Sequence, residues 1–156
     1  MAENPIKLVH KFNKEAGLLG KPYNDHVESA FLIEEAIEGF DLDKLINALN
    51  LEVYSNKKSK DVARAILGSV KDETITDVER FDKHIDAFVY TIGSMLKMGL
   101  SPQQIEQGIA VVMQANMKKI GAPKDAEGKL LKPEGWEQYA PEPKLQAILD
   151  KRTITL

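Results

Sequence analysis

Acidic residues occur in two spaced sets. Glu34, Glu35 and Glu38 belong to the run Glu34-Glu35-Ala36-Ile37-Glu38, and Glu79, Asp82 and Asp86 follow downstream at spacings of three and four. On a helix, residues three or four apart are surface neighbours. Each set therefore presents its carboxylates in one sector, and Glu35 and Glu38 can clasp one ion together. Both sets border apolar residues, with Val27 and Phe31 one turn before the first and Phe81, Ile85 and Phe88 beside the second. A carboxylate drawn out of water costs roughly several kcal/mol unless it is paired or binds a cation. If the two helices pack side by side, their acids converge with few basic partners, and they stay ionised together only around a divalent cation. The expectation is a carboxylate-held metal. His10, His26 and His84 form no pair at helical spacing and the chain has no cysteine. An all-oxygen ligand set favours magnesium, or manganese, over zinc. Against this stands the ordinary reading of an acid triplet as a solvated face, and Glu79 also fits a helix cap.

Magnesium held by carboxylates supports phosphoryl chemistry by neutralising phosphate charge and positioning water. Downstream stand Asn116, Lys118 and Lys119, then Lys124, Lys129 and Lys132. Taken singly each lysine reads as solvated surface; gathered beside an acidic metal site they suit a polyphosphate substrate. Trp136 and Tyr139 either stack on a base or pin the surrounding loop. There is no Gly-rich phosphate loop of the G-x-x-x-x-G-K-[ST] type and no adjacent His-Asp pair, which argues against motor or kinase chemistry and against a histidine-aspartate phosphohydrolase.

The elements that must position these residues read as helices. Asn4-Pro5 is an N-cap followed by proline at the first helical position, with Gly17 as the stop. A second helix runs from about Asp25 to Gly39, apolar nearly all round, as a helix buried on several sides would be. Asp41 caps a short helix through Leu49. Residues 55–60 form a polar loop, and Ser59 opens a helix to about Ser69. Thr76-Asp77-Val78-Glu79 fits a capping box for a long helix whose core stripe is Phe81, Ile85, Phe88, Ile92 and Leu96, closed by Gly99. Ser101-Pro102-Gln103-Gln104 is a second capping box, opening a helix that stops at Gly121. Residues 121–140 are rich in Lys, Gly and Pro and read as a functional loop, and Pro141 begins a last helix. The expected fold is all-α: one domain over 1–156, a four-helix core with a loop-and-helix arm over 121–156 that covers the substrate.

At this point the chain resembles the all-α NTP pyrophosphatases, the superfamily of MazG, dimeric dUTPases and phosphoribosyl-ATP pyrophosphohydrolase. Three pieces carry the resemblance in order over roughly 26–140. They are the E-E-x-x-E run at Glu34 to Glu38; the D-x-x-x-D-x-x-x-Y-x-x-G pattern of Asp82, Asp86, Tyr90 and Gly93; and Asn116-Met117-Lys118-Lys119 followed by Asp125, Gly128-Lys129 and Lys132-Pro133-Glu134-Gly135-Trp136. The resemblance implies hydrolysis between the α and β phosphates of a nucleoside triphosphate, yielding a monophosphate and pyrophosphate. It implies Glu35, Glu38 and Asp86 as catalytic magnesium ligands with Glu34 nearby, Asn116 and Lys119 on the substrate's sugar or phosphates, and Lys132 and Trp136 closing over it. The superfamily's E-x-x-D motif would end at Asp86, but Lys83 stands where it has glutamate; Asp82, one turn before Asp86, takes that place in the related subgroup. Lys118 likewise replaces a serine. The implied mechanism is electrostatic stabilisation and in-line attack by water, without a covalent intermediate.

Composition bounds the reading. With 43% hydrophobic and 29% charged residues the chain reads as an ordinary globular protein, and a net charge of −3 offers no footprint for nucleic acid. No apolar stretch is long enough to span a bilayer, and the first residues lack a signal peptide's pattern; the expected location is cytoplasmic. An apolar second helix would leave an exposed patch on a lone copy, which points to a homodimer or homotetramer. Two alternatives stand beside the pyrophosphohydrolase: a helical interaction module of the same fold without turnover, favoured by Lys83, and a phosphohydrolase acting on a modified nucleotide or a phosphoribosyl compound.

Overall fold

Side-chain caps set most of the helix starts. Asn4 Oδ1 accepts from the Ile6 amide at 2.9 Å, Asn24 Oδ1 from Val27 at 3.1 Å and Asp41 Oδ1 from Lys44 at 3.2 Å. Both expected capping boxes form. Ser101 Oγ accepts from the Gln104 amide at 3.2 Å while Gln104 Oε1 accepts from Ser101 at 2.9 Å. The Glu79 carboxylate accepts from the Thr76 amide at 2.7 Å. Each cap satisfies an amide that the helix itself cannot pair.

The computed structural model describes residues 4–20, 22–53, 58–68, 75–126 and 128–152. Among these it is all-helical: α1 (Pro5–Glu15), α2 (Asp25–Ile37), α3 (Leu42–Leu49), α4 (Ser59–Leu67), α5 (Asp77–Lys97), α6 (Pro102–Met117) and α7 (Glu142–Leu149), with a 3-10 turn at Trp136–Gln138. Part of the loop expected over 55–60 and the helix end expected at Ser69 lie outside the described residues. No described helix is long and apolar enough to cross a membrane.

The helices fall into two compact units. In the unit formed by residues 22–81, α2 and α3 both pack on α4. Its core is Ala30, Ile46, Val62 and Ala63, the last two fully buried. The start of α5 is braced there by Arg80, which bonds Asp77 at 2.9 Å and lies 3.9 Å from the Asp25 carboxylate. That carboxylate also accepts from the Tyr23 hydroxyl at 3.1 Å. In the unit formed by residues 1–21 and 82–156, α6 packs on α1 and on α7, around Ala16, Ile105, Met113, Ala115 and Trp136.

The long helix α5 departs from expectation. Its apolar stripe does not form a core in this chain: no residue of α5 is buried, and Phe81 and Phe88 are 69% and 56% exposed. The pattern is that of an amphipathic helix, but periodicity specifies a face and not what covers it.

Candidate functional site

The first acid set sits at the end of α2. Helical residues run to Ile37, two short of the expected Gly39, and Glu38 is the C-cap with φ −60° and ψ 130°. The helical φ keeps its Cβ one turn on from Glu35, whereas the extended ψ turns the chain outward. Gly39 follows at φ 89°, a conformation that glycine adopts without a Cβ clash. Glu34 is half-buried, and Glu35 and Glu38 are exposed. In the second set, Asp82 and Asp86 lie one turn apart on α5, both exposed. Glu79 is engaged at the helix start, where its carboxylate accepts from both the amide and the hydroxyl of Thr76.

These positions change the physical basis of the metal expectation. It rested on acids forced out of water, yet no charged side chain among the described residues is buried. Without burial there is no desolvation cost for a cation to offset, so burial does not require one here. Within neither unit do three or more described acid or histidine side chains gather closely enough to hold a metal ion.

The basic and aromatic residues, by contrast, are brought together. Residues 121–126 and 128–135 fold into a tight loop. The Asp125 amide donates to the Lys129 carbonyl at 2.9 Å and the Asp125 carboxylate accepts from the Lys129 amide at 3.0 Å, with Lys124 and Leu130 paired across it. The loop is tied to α1 by Lys124, whose ammonium donates to the Ala16 carbonyl at 2.7 Å. A cation on a helix's last carbonyls meets the negative end of its dipole. Lys124 thus serves the fold. Past the loop, Trp136 is 9% exposed. The Lys119 ammonium stands 4.8 Å from its ring centroid and that of Lys132 5.8 Å. Three of the four expected substrate residues therefore meet. Asn116, the fourth, is half-buried one turn before Lys119 on α6. Of the two roles open to Trp136, the structure supports pinning: the indole is buried and holds two lysines from separate elements. Lys118 stands 5.6 Å from the Tyr139 ring centroid in the same manner.

Sequence reasoning missed the role of Arg80, because its pairing with Asp25 joins distant positions and no local rule anticipates it. It also missed a cavity of about 370 Å³ lined by Met95, Met98, Ile109, Met113 and Leu145 among others. Its walls are almost wholly apolar, so it has nothing with which to hold a phosphate. Comparison with known protein families, curated proteins and solved structures gave no match.

Proposed function

We propose that the chain is a magnesium-dependent nucleoside triphosphate pyrophosphohydrolase, acting in the cytoplasm on ribo- or deoxyribonucleotides and releasing a monophosphate and pyrophosphate. The observation that supports this reading is the gathering of Lys119 and Lys132 on Trp136. It concentrates positive charge at the end of α6, and polyphosphates are recognised chiefly through such charge. Glu34, Glu35 and Glu38 with Asp82 and Asp86 are the proposed magnesium ligands, manganese being an equivalent hard ion. Asn116, Lys119 and Lys132 are the proposed substrate contacts, with Trp136 holding the two lysines in place.

The test is pyrophosphate release from a panel of NTPs and dNTPs, extended to modified nucleotides and phosphoribosyl compounds, with and without magnesium. The wild type is expected to release pyrophosphate only with the metal, and Glu38→Gln to lose it. Lys83→Glu, which restores the E-x-x-D spacing, is expected to lower the magnesium concentration needed. A folded protein silent across the panel refutes the proposal.

A second reading is supported by α5. Val78, Phe81, Ile85, Phe88, Ile92 and Met95 recur at alternating spacings of three and four, the period of a helix that pairs with another helix. Val78, Phe81 and Phe88 are each more than half exposed. On this reading the chain is an interaction module, and its first partner is a second copy, as a homodimer or homotetramer. Self-association is compatible with catalysis, so the pyrophosphate assay separates the two.

A further inference from the structure

A second pocket, about 370 Å³, lies where the later turns of α6 meet the 3-10 turn and the start of α7. Gln114 of α6 and Lys118, the C-cap of α6, stand one turn apart beside the apolar Val111 and Ala115; Gln138, Tyr139 and Lys144 complete its polar lining. No acid lines it, and its charges are the two ammonium groups of Lys118 and Lys144. Neither lysine forms an ion pair among the described residues, and Lys118 is held on the Tyr139 ring. The lining includes none of Asn116, Lys119, Lys132 and Trp136. Val111, Gln114, Ala115 and Lys118 recur at the spacing of one helical face, and Asn116 falls outside that face.

Two ammonium groups on exposed lysines, with no acid in the lining, favour an anion over a neutral or cationic ligand. A phosphomonoester carries about −1.5 to −2 at neutral pH. The two amides offer donors and acceptors for hydroxyl groups, and the apolar Val111 and Ala115 accept an uncharged body. The volume lies in the lower part of the range for small-molecule sites. We propose that this pocket binds a small phosphomonoester of the nucleoside monophosphate or sugar phosphate kind, at a site separate from the proposed substrate residues and independent of metal.

The experiment is a titration of the full chain in EDTA with adenosine 5′-monophosphate, ribose 5-phosphate and adenosine, following the side-chain amide resonances of Gln114 and Gln138. Saturable shifts with at least one phosphorylated probe are expected, with adenosine weaker by about tenfold or more. The double variant Lys118→Gln/Lys144→Gln is expected to weaken binding by about tenfold or more. Lys7→Gln/Lys11→Gln, which removes the same charge from exposed positions of α1, is expected to leave it unchanged. Binding of both phosphorylated probes assigns recognition to phosphate and sugar; binding of the monophosphate alone adds the base. The proposal is overturned if neither phosphorylated probe saturates, if adenosine binds as tightly, or if the Lys118/Lys144 variant binds as well as the wild type. Because magnesium is absent, failure of the pyrophosphohydrolase reading leaves this result standing, and the reverse also holds.

Discussion

Replacing Trp136 by alanine tests how the loop is held. The indole is 9% exposed, and truncating a buried aromatic to alanine costs about 3–5 kcal/mol because the lost transfer energy is joined by a cavity. Lys119 and Lys132 lie 4.8 and 5.8 Å from the ring centroid, and each such contact adds about 0.5–1 kcal/mol. The expected loss is about 5 kcal/mol, most of it from burial. For a chain of this length about 1 kcal/mol moves the melting temperature by about 2–4 °C, so the variant should melt about 10 °C or more lower. Trp136→Phe retains most of the buried area and should lose less than half as much. The assay is thermal denaturation followed by far-ultraviolet circular dichroism at one protein concentration, because Trp136 is the sole tryptophan and its fluorescence disappears with it. Limited trypsin digestion provides a local readout, since the loop carries Lys124 and Lys129. Cleavage there should quicken in Trp136→Ala at temperatures below its melt. Melting within about 2 °C of the wild type, with unchanged digestion, would show that the indole pins nothing.

Two further outcomes are expected. Phe88→Glu should abolish self-association in sedimentation velocity while leaving helical content unchanged, because Phe88 is 56% exposed and its loss opens no cavity; a wild type that sediments as a monomer at every concentration refutes the role given to the α5 stripe. Asn24→Ala removes the 3.1 Å cap on the Val27 amide and should cost about 1 kcal/mol in urea unfolding, whereas Asn24→Asp should cost little.

The starts of the helices were legible because caps are local. Thr76 with Glu79 and Ser101 with Gln104 pair across three residues, so spacing and residue type suffice to read them. The end of α2 was two residues less legible: Gly39 was recognised as a stop, but a positive φ there requires the chain to leave the helix earlier, at Glu38. The amphipathic stripe of α5 could also be read from its period. Its exposure could not, because a period of apolar residues names a face without naming a neighbour.

The candidate site divides in the same way. Sequence alone determined which residues carry charge and which share a helical sector: Glu35 with Glu38, and Asp82 with Asp86. These follow from chemistry and a fixed rotation per residue. Only the tertiary structure decided that these acids are solvated, that Lys124 is committed to the Ala16 carbonyl, and that Lys119 and Lys132 meet on one indole. Burial and convergence depend on how a loop folds back and what packs beside it. Those contacts join residues far apart in the chain, where no local spacing rule reaches.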